Sequence, residues 1–269
     1  MKSNVTVILT LYKTPASKIK NLNQYKNYKT IFFEQKSNGS FKKELSSILK
    51  YKFKYYYSSK NIGLSKSSNF LLSKVKTKYC LFTQPDIKIS SSSIETLIKA
   101  MNKDIIFASP KYVKKIDSFQ KRSPNKIKKK INMACVLMNV NKIKKIKFFD
   151  EDFFLYWEDI FLMKKINKTH YKMIEVNNAF AAHESSKSSE DNYKTRYIRD
   201  LNFIYGEFLY DYKVGKLRFI KIFRKLIQNI ILFFFNILIF QLKRTYKNIA
   251  NICGITKFVK FYLMSFKIF

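Results

Sequence analysis

Glycine and proline are scarce, five and four in a chain of 269 residues, which argues against a loop-rich or fibrous protein. No glycine pair has the spacing of a dinucleotide or phosphate loop, so P-loop and Rossmann-type fingerprints are absent. Three cysteines, Cys80, Cys135 and Cys253, stand far apart and in odd number, which excludes a disulfide framework or a zinc knuckle and fits a reducing compartment. With only His170 and His183, a two-histidine zincin site in its usual spacing is impossible, and no GxSxG elbow occurs. Arginine is also rare: six residues are few for a protein that reads bases or clamps phosphates bidentately. Acid is rarer than base, with 18 carboxylates against 53 lysines and arginines.

The balance, a formal charge of +35, admits nucleic acid or an anionic membrane as partner. It also fits AT-rich codon bias, since Lys, Asn, Ile and Phe are abundant together. The 46% hydrophobic content is enough for a sizeable core. The opening "MKSNVTVILTLYKTP" has a short, β-branched apolar run and no small-residue cleavage site, so a cytoplasmic chain is expected.

Along the chain, "VTVILTL" (5–11) reads as a strand buried on both faces, followed by strands at 30–35, 52–59, 78–86, 104–110 and 131–140. Helices are expected at 16–28, 65–77, 91–101 and 156–168, and two short strands at "YKMIEV" and "AFAAHE". Strands alternating with helices imply an α/β fold with a mostly parallel sheet. "QKRSPNKIKKK" (120–130) reads as a basic loop. From about 190 the pattern is helical, giving an expected division into domains 1–190 and 191–269. "LIQNIILFFFNILIFQL" (226–242) is apolar between basic residues, with Asn229, Asn236 and Lys243 every seventh residue as one polar stripe. A helix in the membrane interface or on a partner helix fits better than a span, and a buried helix is the alternative.

Acid gathers in one stretch, "FFDEDFFLYWEDIFL" (148–162), where Asp150, Glu151, Glu158 and Asp159 sit among aromatic residues. At a helix start, Glu158 and Asp159 suit the helix dipole, which explains acid there without chemistry. The chemical alternative makes Asp159 a general base, its carboxyl raised by apolar surroundings. Three further constellations carry the same duality. Asp86 in "TQPD" lies past a strand end, where ligands bind in open α/β sheets, or is an ordinary turn residue. Asn61, Gly63 and Asn69 of "NIGLSKSSN" shape a ligand loop or merely cap a helix. His183 in "AAHESS" is a structural histidine, or a second metal ligand beside Asp86.

The order of these blocks resembles the family 2 glycosyltransferases of the GT-A fold, most closely a rhamnosyltransferase-like branch. There a first strand is followed by "DNxSxD", "NxGxxxxxN", "NPD", "FDExFFxYxEDxDLxxR" and a late histidine. The resemblance covers residues 4 to about 190. It implies that Thr10, Tyr12, Glu34, Asn61, Gly63, Asn69 and Gln84 bind the nucleotide-sugar. It further implies Asp86 and His183 as ligands of Mg²⁺ or Mn²⁺, Asp159 as the catalytic base with Glu158 beside it, and Trp157 and Glu151 on the acceptor side. The departures are specific: Gln84 replaces the Asn or Asp of the metal motif, "EQKSNGS" copies "DNxSxD" poorly, Phe161 replaces an acid, and the Gly-Gly before "FDE" is missing. The implied function is inverting sugar transfer from a nucleotide-diphosphate sugar to a saccharide or lipid-linked acceptor in cell-surface polysaccharide synthesis. The implied place is the inner face of the cell membrane, with an anionic lipid surface as partner and no nucleic acid. The alternatives are a basic nucleic-acid binder and a non-catalytic scaffold of a polysaccharide-assembly complex.

Overall fold

A computed structural model describes residues 4–114, 123–184 and 189–266. Residues 120–122 of the basic loop, the serines after Glu184 and residues 267–269 lie outside the described residues. The described chain groups into two compact units. One is Met1–Asp150 with Asp159–Glu190, and the other is Glu151–Glu158 with Asp191–Phe269. Glu151–Glu158 thus counts with the helices, a segment the sequence reading kept in domain 1–190.

The first unit is an α/β sheet of nine strands. Its elements run β1 (Val5–Leu11), α1 (Ala16–Asn21), β2 (Lys29–Gln35), α2 (Phe41–Ile48), β3 (Lys54–Ser58), α3 (Leu64–Lys74) and β4 (Tyr79–Thr83). They continue through β5 (Ile87–Ile89), α4 (Ser91–Lys99), β6 (Ile105–Val113), β7 (Lys126–Lys128), β8 (Cys135–Asn139), α5 (Val140–Lys145), α6 (Glu158–Ile166) and β9 (Lys172–His183). The strand order is β3-β2-β1-β4-β8-β6-β9-β5, with β7 also on β9. Strands β3, β2, β1 and β4 pair parallel throughout. Strand β8 runs against both β4 and β6, so β6 and its parallel partner β9 share the direction of the first four. Only β5, β7 and β8 are reversed, and the sheet is mostly parallel in direction while mixed in pairing.

The β-branched run of β1 shows why the sheet is covered on both faces. Val5, Val7, Leu9 and Leu11 enter one apolar layer with Leu22, Tyr25, Leu45, Ile94 and Leu97. Ile8 enters the opposite layer with Leu71, Leu72, Ile143, Leu162 and Ile166. Period-2 alternation in a central strand thus builds a three-layer unit with helices on each side. Ser90 caps α4 by accepting the Ser93 N–H at 3.1 Å.

Three expectations change. The two short strands expected over 171–184 are the single twelve-residue β9, whose irregular register against β6 at Pro110/Lys111 absorbs Asn177, Asn178 and Ala179. Part of the basic loop, Lys126–Lys128, pairs antiparallel with β9. The apolar run 226–242 is not one helix, because the chain turns after Leu238.

The second unit holds α7 (Tyr193–Lys213), α8 (Phe219–Leu238) and α9 (Leu242–Phe266). Asn192 and Thr195 close a reciprocal capping box at the start of α7. Helix α9 crosses α7 at Gly254, where a Cβ would stand 2.2 Å from Ile204 Cγ2 and 2.4 Å from the Leu201 carbonyl oxygen. No helix among the described residues is long and apolar enough to cross a membrane.

Candidate active site

Several of the polar residues singled out above lie where the parallel strands end. In register, Leu11 of β1 faces Glu34 of β2, and Glu34 faces Tyr57 of β3. Thr10, Glu34, Asn61 and Asp86 therefore emerge at the carboxyl ends of four neighbouring strands, the edge where open α/β sheets bind ligands. Tyr12 and Gln84 are half-buried just beyond β1 and β4. The Gln84 carbonyl accepts the Ile87 N–H at 3.2 Å, closing the Pro85 turn.

Hydrogen bonds fix this edge. The Glu34 carboxylate accepts the Tyr55 hydroxyl, and burial pushes that hydroxyl's pKa upward. Gln35 Oε1 accepts the Ile62 N–H at 2.9 Å, holding the Asn61 loop to β2. Asn61 Oδ1 accepts the Gly63 N–H at 3.1 Å, and Gly63 takes φ +85°, which suits a residue without Cβ. Thr10 Oγ1 lies 3.2 Å from Ser67 Oγ, so β1 and α3 are joined through the expected pocket residue.

Asp86 and His183, distant in sequence, are brought together. Strand β5 pairs antiparallel with β9, setting Ile87 opposite His183. The Glu184 N–H donates to the Asp86 carbonyl at 3.1 Å. His183 Nε2 then stands 3.5 Å from Asp86 Oδ2, a carboxylate only 1% exposed. The next carboxylate, Glu184, turns to Lys18 and Lys88, whose ammonium groups hold its pKa down to about 2. No group of three metal-ligating side chains occurs among the described residues.

The acidic stretch is anchored by Asn69. Its Nδ2 donates to the Phe149 carbonyl at 3.0 Å, and its Oδ1 accepts the Phe149 N–H at 3.1 Å. Asn69 thus positions the loop that leads to Asp159. Lys147 and Phe148, at the sites of the missing Gly-Gly, both lie in the left-handed region, with φ +60° and +47°. The backbone demand for glycine persists there although the glycines do not. Asp159 opens α6. Burial holds its carboxyl above the ordinary carboxylate value, while the Ile160 N–H, donating to Oδ1 at 2.7 Å, pulls the other way. Burial therefore outweighs the helix-start amides, and the carboxyl is a stronger base than an exposed aspartate.

Glu151, Trp157 and Glu158 belong to the helical unit. Glu151 is exposed, whereas Glu158 is only 6% exposed. Trp157 Nε1 donates to the Phe203 carbonyl at 3.0 Å, and the indole packs against Phe203 and Tyr210. A Cβ on Gly206 would meet Trp157 Cδ1 at 2.8 Å, so a small residue there admits the indole. Tyr156 and Trp157 are both left-handed, at φ +67° and +70°. Such strain persists only where packing over-determines it, as the α7 contacts do for Trp157.

Sequence reasoning missed Tyr55, Ser67 and Lys18. Tyr55 and Ser67 lie inside the strand and the loop–helix block already singled out, and their spacing to Tyr57 and Gly63 was a usable signal. Lys18 has none, since its partner Glu184 is 166 positions away.

Residues 9–163, more than half of the chain, match the profile of Glycosyl transferase family 2. The chain belongs to this family. No curated protein matches it. The fold is similar to a mannosyltransferase of Pyrobaculum calidifontis in complex with GDP-Man and Mn²⁺. TM-score is 0.56 and identity 13%, covering 75% of this chain and 62% of that one. It is similar to GalNAc-T7 with UDP, GalNAc and Mn²⁺, at TM-score 0.54 and 8% identity over 76% of this chain and 46% of that one. A third likeness is S. aureus TarS 1-349 in complex with UDP-GlcNAc, at TM-score 0.51 and 13% identity over 74% and 66%. The chain spans less than two thirds of the first two proteins. These likenesses establish the GT-A type fold of this family 2 member.

The donor set of this chain fits a divalent cation. A carboxylate and an imidazole 3.5 Å apart approach the separation of about 3 Å between neighbouring ligands on an octahedral ion with bonds of roughly 2.1 Å. Such ions commonly take one or two protein ligands and leave the remaining positions to water and phosphate oxygens.

Proposed function

We propose that the protein is an inverting, metal-dependent glycosyltransferase. It moves a hexosyl or deoxyhexosyl unit from a nucleotide-diphosphate sugar to a hydroxyl of a saccharide or lipid-linked acceptor in cell-surface polysaccharide synthesis. The observation that carries this reading is the pair Asp86–His183 at the carboxyl edge of the sheet, in a chain whose buried Asp159 has a raised pKa. The rhamnosyltransferase-like order of motifs supports a deoxyhexose donor, and a lipid-linked acceptor puts the enzyme at the inner face of the cell membrane.

Each residue has a definite task. Asp86 and His183 would hold Mg²⁺ or Mn²⁺. When bound, the ion neutralises charge on the leaving diphosphate. Thr10, Tyr12, Glu34, Asn61, Gly63 and Gln84 bind base, ribose and diphosphate, and Asn69 holds the acidic loop in place. Asp159 accepts the proton of the acceptor hydroxyl, whose oxygen attacks the anomeric carbon in line with the departing diphosphate. One displacement inverts that carbon. Glu158 supports Asp159, while Trp157 and Glu151 serve the acceptor side.

The test is hydrolysis or transfer from a panel of UDP-, dTDP- and GDP-sugars with Mg²⁺ or Mn²⁺. Metal-dependent turnover that disappears in Asp159→Asn and Asp86→Asn supports the reading. If no nucleotide-sugar turns over and none raises the melting temperature with metal, the donor assignment fails.

A further inference from the structure

Helix α8 has its polarity turned inside out, against an α7–α9 pair that buries Phe208, Ile255 and Phe258 in the ordinary way. One residue every seventh position of α8 is buried, Ile222, Asn229 and Asn236, and the two asparagines meet α9. The two asparagines of the polar stripe therefore face inward, while its third member, Lys243, is exposed at the start of α9. Asn236 Nδ2 donates to Asn248 Oδ1 at 2.9 Å, and Asn229 Oδ1 accepts from Asn248 and Asn251 at 3.2 and 2.9 Å. Most other apolar residues of α8 and its closing turn are exposed, with Phe223, Ile231, Phe234, Leu238 and Phe240 standing out to solvent, the last two at 76% and 87%.

We infer that α8 lies in the plane of one leaflet of an anionic phospholipid membrane, apolar side inward, with its asparagine seam satisfied by α9. The inference rests on the membrane-bound reading above and deepens it by naming the element, its orientation and the lipid chemistry. Its physical basis is a comparison of solvents. In water, a helix pair gains by burying phenylalanine and isoleucine and exposing amides. Helix α8 does the reverse. In hydrocarbon, apolar surface costs nothing, while every amide needs a partner inside the protein.

Charge selects the lipid and the orientation. Lys221, Arg224 and Lys225 occupy the first two turns of α8, and Lys243, Arg244 and Lys247 follow the turn. Lys221 and Lys225 are paired with Glu207 and Asp211 of α7, while Arg224, Arg244 and Lys247 are exposed. Cations at both ends of a 17-residue uncharged stretch, broken by a turn, suit a helix lying in the headgroup boundary rather than one that crosses. Between α8 and α9 runs a groove of about 490 Å³, lined by Arg244, Lys247 and the Asn229 and Asn251 amides, with Leu232 and Phe235 also lining it. A phosphodiester headgroup is matched by the cations and amides, and its acyl chains by the apolar side chains.

The test uses the full chain and needs no turnover. Flotation is measured with phosphatidylglycerol vesicles and with phosphatidylcholine vesicles, and donor hydrolysis is assayed separately without vesicles. Binding should favour phosphatidylglycerol at least tenfold and weaken with salt. Tryptophan fluorescence of Phe234→Trp should be quenched by lipids brominated on the acyl chain, beyond the quenching of wild type. The triple variant Ile231→Asn, Phe234→Asn, Leu238→Asn should lose flotation with an unchanged circular dichroism spectrum. Arg244→Glu with Lys247→Glu should lower phosphatidylglycerol binding by about tenfold or more. Absence of flotation overturns the inference, as does flotation that survives the triple variant. A concentration-dependent dimer that the triple variant dissociates would assign the face to a second copy instead. Flotation with neither donor turnover nor a melting-temperature rise with any nucleotide-sugar and metal would leave this inference standing and remove the donor assignment; turnover without flotation would do the opposite.

Discussion

The sheet unit and helix α8 solve opposite problems with the same residue types. In the sheet, isoleucine, leucine and phenylalanine fill two apolar layers, and the polar groups sit at the strand ends, where chemistry is possible. Around α8, asparagines are inside and phenylalanines outside. The contrast teaches that burial follows the solvent an element is built for. Water drives apolar groups together, whereas an apolar surrounding leaves internal hydrogen bonds as the directional force between helices.

The sharpest break of that contrast is one substitution made twice. Leu81→Asn, in a fully buried strand position, should cost about 4 kcal/mol or more and leave little folded protein. Ile231→Asn, on the exposed side of α8, should cost within about 0.5 kcal/mol. Urea denaturation measures both. Equal costs would mean that the α8 face is covered in the folded protein.

The next effect is chemical. Asp159→Asn should lower turnover by about 10²–10⁴-fold. The base works only when ionised, and burial raises its pKa, so kcat/KM of the wild type should fall as pH drops through that raised value, above the ordinary carboxylate value near about 4. The stability sign is opposite. The fold binds this proton more tightly than the unfolded chain, so ionised Asp159 costs stability above its folded pKa. That cost is relieved as pH falls toward the unfolded value. Asp159→Asn should accordingly melt higher than wild type at neutral pH while being inactive. A lower melting temperature would make the carboxylate a structural partner rather than a poised base.

Asn229→Leu reverses the polarity rule inside the helical unit. The Asn248 and Asn251 amides lose their common acceptor, and stability should drop by roughly 1–3 kcal/mol in thermal denaturation. A gain would show that the seam behaves like an ordinary aqueous core. The smallest effect is expected at Lys147→Gly, which removes a left-handed lysine from the loop before Asp150 and should add about 1 kcal/mol. No gain would place the strain of that loop elsewhere.

Much of the first unit was legible in order because its signals are local. Val5–Leu11 reads as a doubly buried strand from its β-branched run, and the serines that begin 91–101 announce a helix. Asp86, Asp159 and His183 stand out because acid and histidine are so rare in this chain. Other features depend on partners far along the chain. The merging of 171–176 and 179–184 into β9 depends on β6 alongside, and Lys126–Lys128 becomes a strand only because β9 offers an edge. The turn after Leu238 divides an apolar run that hydropathy alone reads as continuous.

The sequence by itself determined the α/β alternation, the family's order of motifs and the heptad stripe of Asn229 and Asn236, since each is a periodicity or spacing carried by neighbouring residues. Only the tertiary structure decided that Asp86 meets His183, that Asn69 grips Phe149, that Lys18 occupies Glu184 and that the asparagine stripe turns inward. Those are contacts between residues 12 to 166 positions apart, the closest being Asn236 with Asn248. No local propensity encodes them. They exist because strand register and helix packing bring the pieces together.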